Sequence, residues 1–290
     1  MDACLISCDN NHRKSGQGIM KSLFHKFAMP GLILAWFFSP ANANAACATS
    51  AASLHGGYGM LVTGTTLNAS SAANFGGKFL AGAVQFDGVG NVSGTHVYSD
   101  YGVVSAVTGT YAVNTDCTLT ISMTIGSGAA QVYTVAIKTS NEAVGIEVDN
   151  SAVATIDLQA QYTASTAATS FTNGSANGLF TGACYGAAGY AAASNGAASV
   201  QTDLNIATFS NGTLSGTNPN QGPIGSIALA NVPYTGNYTV NSDGTFSGTA
   251  FEGAEKYDFY GVIANGGTEL LYFYTSGAPA PAVESCVLKL

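Results

Sequence analysis

One nine-residue stretch of the chain has a near-copy further on. Thr108-Gly109-Thr110-Tyr111-Ala112-Val113-Asn114-Thr115-Asp116 returns 127 residues later as Thr235-Gly236-Asn237-Tyr238-Thr239-Val240-Asn241-Ser242-Asp243. Upstream, Val92-Ser93-Gly94-Thr95 returns as Leu214-Ser215-Gly216-Thr217 at an offset of 122, and Gly57-Tyr58 matches Leu179-Phe180 in the same frame. This period is too long for a solenoid and predicts two similar domains in tandem, with the extra residues of the second in the loop around Asn218 to Pro223. Residues 163–176, rich in Ser, Thr and Ala and without periodicity, read as a linker between modules at 46–162 and 177–290, each of ordinary domain size.

Inside each module the hydrophobic period is two. Thr118-Leu119-Thr120-Ile121-Ser122-Met123-Thr124-Ile125 places an apolar residue at every second position, and Thr155-Ile156-Asp157-Leu158-Gln159-Ala160-Gln161-Tyr162 does the same. Such alternation predicts half-buried strands. Further strands are expected at 78–87, 91–99, 107–114, 131–138 and 143–149. In the second module they are expected around Cys184 and at 199–209, 234–241, 244–251, 256–264, 269–275 and 282–290. Asp87-Gly88, Gly90-Asn91, Asn211-Gly212, Asp243-Gly244 and Gly266-Gly267 supply residues that tolerate positive φ between them. The fold class is therefore all-β, two tandem antiparallel modules, each an eight-stranded barrel or a two-sheet sandwich that covers its strand edges.

The first residues carry an address. Met20 to Ala45 combine a basic start, an apolar stretch through Leu32, Ile33, Leu34, Trp36, Phe37 and Phe38, and the ending Ala41-Asn42-Ala43-Asn44-Ala45. That is the pattern of a secretory signal cleaved after Ala45, too short to span a bilayer as a stable helix. Residues 1–19 read as an upstream extension, with translation starting at Met20; a long n-region from Met1 is the alternative. The protein is expected to be exported, whether periplasmic, cell-surface or secreted, with no transmembrane helix in the mature chain, and to be a monomer.

Removal of the leader leaves Lys78, Lys138, Lys256 and Lys289, no Arg, and 14 acidic residues, a net charge of −10. Four cations cannot neutralise a run of phosphates, which excludes nucleic acid as a partner. Cys47, Cys117, Cys184 and Cys286 remain as an even set with three pairings open to it. Cys184 falls in the first strand of the second module and Cys286 in the last, so a bridge between them would join those strands. By elimination Cys47 pairs with Cys117. A competing reading makes Cys47 a lipidated first residue, although Asn44-Ala45-Ala46 lacks the large aliphatic residue of a lipoprotein signal.

Two motifs, Phe86-Asp87-Gly88-Val89-Gly90-Asn91-Val92-Ser93-Gly94-Thr95 and Gly109-Thr110-Tyr111-Ala112-Val113, resemble modules of exported bacterial proteins of unknown function. The resemblance covers most of the first half and implies a calycin-like β-barrel. The second half matches more loosely and lacks the Asp-Gly-x-Gly-Asn turn. No catalytic residues come with it.

Chemistry is sparse. His96 with Ser93 and Asp100 is the one local triad candidate, but residues 96 and 100 of a strand lie roughly 13 Å apart, too far to bond directly. Gly-x-x-Ser-Gly at 90–94, 212–216 and 244–248 has the spacing of hairpin turns rather than of a hydrolase elbow. Glu147 with Asp149, Asp157 with Gln159 and Gln161, and Glu252 with Glu255 form no recognised metal or glycosidase pattern and read as solvated. No catalytic, cofactor or metal residues are assigned. Tyr257, Phe259, Tyr272 and Tyr274 make the second module locally aromatic and are the candidate ligand-lining residues, for a small apolar ligand or a glycan. Two other classes stay open: an outer-membrane barrel made by both halves together, and a hydrolase or isomerase working in a barrel mouth.

Overall fold

The computed structural model of the protein describes residues 54–66, 77–99, 102–114, 116, 118–149, 151–162, 170–188, 199–218, 231–276 and 283–290. The expected leader and extension (1–45), Cys47, Cys117, Asp100, residues 163–169 of the expected linker and the loop at 219–223 lie outside them.

The first eight strands are β1 (His55–Thr66), β2 (Gly77–Asp87), β3 (Asn91–Ser99), β4 (Val104–Val113), β5 (Thr118–Ile125), β6 (Ala130–Thr139), β7 (Glu142–Glu147) and β8 (Ala152–Ala160). They pair in sequence order and β8 returns to β1, closing a barrel. The second set is β9 (Gly178–Ala188), β10 (Ser199–Ser210), β11 (Thr213–Asn218), β12 (Val232–Val240), β13 (Thr245–Glu252), β14 (Glu255–Ala264), β15 (Glu269–Ser276) and β16 (Val283–Lys289). It closes in the same way, β16 onto β9. The barrel is thus realised rather than the sandwich. Each half closes on itself, so the single membrane barrel built from both halves is not what the chain forms.

Alternation explains most strands. Leu119, Ile121 and Met123 of β5 point into the first barrel with Tyr58, Met60, Phe86 and Tyr133, while Thr120, Ser122 and Thr124 face outward. In the second barrel Phe180, Phe209, Phe246 and Phe259 fill the interior, while Thr235, Asn237 and Thr239 of β12 face water. An apolar inside and hydroxyl-rich outside invert the pattern of a membrane barrel. A closed eight-stranded barrel is just wide enough for side chains to fill.

The nine-residue stretch and its near-copy make the same bonds in both barrels. Gly109 lies opposite Val92 and Met123; Gly236 lies opposite Leu214 and Ala250. A Cβ on Gly109 would meet the Ser122 carbonyl oxygen at 2.1 Å and one on Gly236 the Thr249 carbonyl oxygen at 2.2 Å, which accounts for glycine at both. Tyr111 and Tyr238 donate their backbone N–H to Gly90 and Gly212, and their hydroxyls to the carbonyls of Leu54 and Asn173. The Asp-Gly-x-Gly-Asn turn of the first barrel is held by Asp87, whose Oδ1 accepts from the N–H groups of Val89, Gly90 and Asn91 at 2.8–3.0 Å. Those bonds, that from the Asn91 backbone first, hold its carboxyl down to about 2. The role of this motif residue is to build the turn.

In the second barrel Cys184 and Cys286 are paired opposite each other on β9 and β16 and are joined by a disulfide. The expected first-to-last bridge is present.

Two strands fall outside the alternation rule. β1 and β2 are buried on both faces over Tyr58–Val62 and Lys78–Val84. Their outward residues Leu61, Phe79, Ala81 and Ala83 pack against Val262 and Ala264 of β14 and Leu271 and Phe273 of β15. The rings of Phe79 and Phe273 stand 6.3 Å apart, and Tyr98 stacks at 5.2 Å on Tyr260. This seam joins the barrels side to side. It also explains why β1 is missing from the sequence-predicted strands: an apolar run without alternation carries no period-two signal. β11 (Thr213–Asn218) is likewise missing from the sequence-predicted strands.

Phe273 is fully buried in this seam and points away from its own barrel's interior. Phe273→Ala is expected to destabilise the protein by about 3–5 kcal/mol in denaturant titration. Retained near-native stability would show that the barrels are not held by this contact.

Candidate functional site

The two barrels finish their interiors differently at one end, the end where odd-numbered strands stop and even-numbered strands start. In the first barrel Lys78, at the start of β2, lies inside with its Nζ 2.6 Å from Glu147 Oε1, at the end of β7, and 5.8 Å from the centroid of the Tyr133 ring. Ser151 Oγ donates to the same carboxylate at 2.7 Å. Glu147 was expected to be solvated; it is buried, because Lys78 neutralises it there. Burial pushes the Tyr133 hydroxyl up, with the charge of Glu147 adding to it. This end is closed by the chain's own ammonium group.

The second barrel has no such cation. Tyr133 and Glu147 are paired across β6 and β7; the corresponding pair across β14 and β15 is Phe259 and Tyr274. Met123, opposite Gly109, corresponds to Ala250, opposite Gly236. Counted back from the paired phenylalanines Phe86 and Phe209, Val84 becomes Ala207 and Leu80 becomes Asp203. Large apolar groups are thus replaced by small or polar ones, and a cavity of about 50 Å³ results. Its lining includes Asn205, Ala207, Asn218, Tyr234, Ala250 and Glu252, and all four sequence-selected aromatics, Tyr257, Phe259, Tyr272 and Tyr274. Tyr257 and Tyr274 meet edge to face with centroids 5.7 Å apart, as do Phe259 and Tyr272 at 6.3 Å.

The polar groups of this end form a chain of bonds with loose ends. Tyr234 donates its hydroxyl to Asn205 Oδ1, and Asn205 Nδ2 donates to the Tyr272 hydroxyl at 3.0 Å. Tyr274, in the cavity lining, donates to Asp203 Oδ2 at 2.9 Å, and Asp203 itself lies outside that lining. Glu284, opposite Tyr274 on β16, is bonded to both Tyr274 and Asp203. Desolvation first, then the charge of Asp203, pushes the Glu284 carboxyl up to about 8, and desolvation raises Asp203 as well. Asp203 Oδ1, Asn218 Oδ1 and Glu284 Oε2 are buried without a hydrogen-bond partner among the described residues. Sequence reasoning found the rings but missed Asp203, Asn218 and Glu284. Nothing local distinguishes them from outward polar residues until strand parity is counted from the paired cysteines.

A larger cleft of about 930 Å³, lined by polar residues including Gln85, Ser93, Thr95, Gln161 and Asp243, lies at the junction of the barrels. His96 reaches across this junction. Its Nδ1 contacts Asp243 Oδ2 at 2.6 Å, an acid of the second barrel. No hydroxyl bonds the imidazole Nε2 among the described residues, and the triad geometry is not met there. Gln161, expected on a solvated face, is buried and donates to the carbonyl of Asp243 at 2.7 Å. Gln159 is likewise buried, Asp157 is half-buried and Glu252 is inside the second barrel, whereas Glu255 and Asp149 lie nearer the surface. Among the described residues no group of three His, Cys, Asp or Glu is arranged to hold a metal, and no helix is long and apolar enough to cross a membrane.

No protein-family model and no curated protein matches the chain. Among solved structures it is similar to the isotype 1 transferrin binding protein B of serogroup B Neisseria meningitidis, with TM-score 0.33 and 10% identity over 82% of this chain and 75% of that one. It is also similar to a mutant of the vaccine antigen transferrin binding protein B from Haemophilus parasuis Hp5, with TM-score 0.27 and 10% identity over 82% and 76% of the two chains. For intact Ap-TbpB with its N and C lobes the TM-score is 0.29 and the identity 8%, over 82% and 78%.

Because Glu284 holds its proton in the fold to about pH 8 and loses it near 4.5 when unfolded, the unfolded state binds fewer protons between those values. Stability is therefore greatest below pH 4.5 as far as this group is concerned, falls as pH rises to 8, and levels off above. Wild type should lose on the order of a few kcal/mol more than Glu284→Gln between pH 5 and 9 in paired denaturant titrations. Parallel profiles would mean that the carboxyl is not held protonated.

Proposed function

We propose that the protein is an exported binding protein whose recognition element is the hollowed end of the second barrel, with the first barrel as its filled support. Tyr257, Phe259, Tyr272 and Tyr274 are the ligand-lining residues, and they hold a small, largely apolar molecule or the edge of a glycan. The protein works as a monomer in the bacterial envelope or outside the cell, after loss of the leader. The observation that carries this reading is the contrast between the barrels: Met123, Val84 and Leu80 pack one interior, while Ala250, Ala207 and Asp203 leave the other open. Pockets of mixed aromatic and polar lining are the usual form of small-molecule sites. The Cys184–Cys286 bridge fits an oxidising compartment.

The test uses the exported chain and a panel of small apolar molecules and oligosaccharides. Binding is read by thermal stabilisation and by tyrosine fluorescence, since the sole tryptophan, Trp36, lies in the leader. A ligand at a hundred times its Kd should add about 2.7 kcal/mol of stability. Tyr257→Ala, at a half-buried position and with folding checked by circular dichroism, should weaken binding at least tenfold, about 1.4 kcal/mol. Binding unaffected by that change would refute the assignment of the site, and absence of binding across the panel would refute an apolar or glycan occupant.

A further inference from the structure

We propose that the cavity of the second barrel takes the head group of a small primary ammonium ion. This deepens the reading above and rests on it, since it names the chemistry of the occupant of the same site. The cavity holds about 50 Å³, room for a head group of a few atoms rather than a sugar ring.

The polarity of the loose ends selects the occupant. Asn218 Oδ1, buried without a hydrogen-bond partner among the described residues, is an acceptor in the cavity lining, while Asp203 and Glu284, outside that lining, are bonded to each other and to Tyr274. Asn218 is 8% exposed and lines the cavity itself, beside the buried carboxyl group of Glu252. Acceptors in a low-dielectric interior are matched by a donor that carries positive charge, and the faces of tyrosine and phenylalanine attract the same species.

The chain cannot supply that charge. Beyond residue 45 its cations are Lys78, Lys138, Lys256, Lys289 and two histidines. The four lysines are bound to Glu147, Glu142, Asp258 and Glu269, and His96 to Asp243. His55 is exposed at the start of β1 in the other barrel. The first barrel supplies the internal precedent: at the corresponding end the Lys78 ammonium sits between a carboxylate and a tyrosine ring. In the second barrel the Glu252 carboxyl group and the aromatic rings line the cavity, and the ammonium comes from outside.

Entry of a cation favours the ionised form of the carboxyl pair, so a proton leaves Glu284 to solvent as the ammonium binds. The titratable groups facing this end are Asp203 on β10, Tyr234 on β12, Glu252 on β13, Tyr257 on β14, Tyr272 and Tyr274 on β15, and Glu284 on β16. Burial raises Tyr234, Tyr272 and Tyr274 further above their ordinary value, so they stay neutral below pH 9.

The experiment titrates the exported two-barrel chain with methylammonium chloride, and separately with methanol, tetramethylammonium chloride and calcium chloride, at constant ionic strength from pH 6 to 8. Heat of binding and thermal stabilisation are the readouts. Methylammonium should bind saturably, severalfold more tightly at pH 8 than at pH 6, and the pH dependence should vanish in Glu284→Gln. Glu252→Gln should weaken binding at least tenfold, with folding checked by circular dichroism. Equal response to methanol, preference for tetramethylammonium, or response to calcium alone would each overturn the assignment. If the apolar and glycan panel binds while methylammonium does not, the site stands and the ammonium inference falls; if neither binds, both fall.

Discussion

Closure is the constraint on which the rest of the molecule depends. A sheet that returns to its first strand leaves no edge, and its interior becomes a dry space into which every second residue must point. In the second barrel this closure, β16 on β9, is also covalent through Cys184 and Cys286, which closes a loop spanning a sequence separation of 102 residues. A bridge across so long a loop contributes about 2–5 kcal/mol in the chain-entropy account. Whatever lies on the inward parity of a strand must then be apolar, paired, or waiting for something.

The two barrels meet that requirement in opposite ways. The first fills its interior with Tyr58, Met60, Phe86 and Tyr133 and neutralises its one inward acid with Lys78. The second has Ala207, Ala250 and Asp203 where the first has Val84, Met123 and Leu80, and keeps a linked set of hydroxyl, amide and carboxyl groups over its aromatic floor. A buried charge without a counter-charge is costly, and burial accordingly raises both Asp203 and Glu284, the latter to about 8. Unsatisfied groups of this kind gather at sites of function more often than elsewhere.

Much of the architecture was legible in the sequence. Alternation located most strands, the Gly-containing pairs located the turns, and the position of Cys184 and Cys286 in the first and last strands anticipated their bridge. What failed did so for identifiable reasons. β1 is buried on both faces by the seam and shows no alternation, and the docking of Phe79 on Phe273 involves residues that single-strand patterns assign to solvent. Glu147 and Gln161 were misread as solvated because their partners, Lys78 and the Asp243 carbonyl, are distant in sequence. The candidate site was half legible. The aromatics stand out by composition, while Asp203, Asn218 and Glu284 become visible only when the parity of each strand is known.

The central claim is that the end of the second barrel keeps an acid neutral for want of a cation. The most direct measurement is a carbon-13 NMR titration of the side-chain carboxyl groups, with Glu284 assigned by its loss in Glu284→Gln. The account predicts a midpoint near 8 for this group in the free protein. A midpoint near the ordinary value of 4.5 would contradict it.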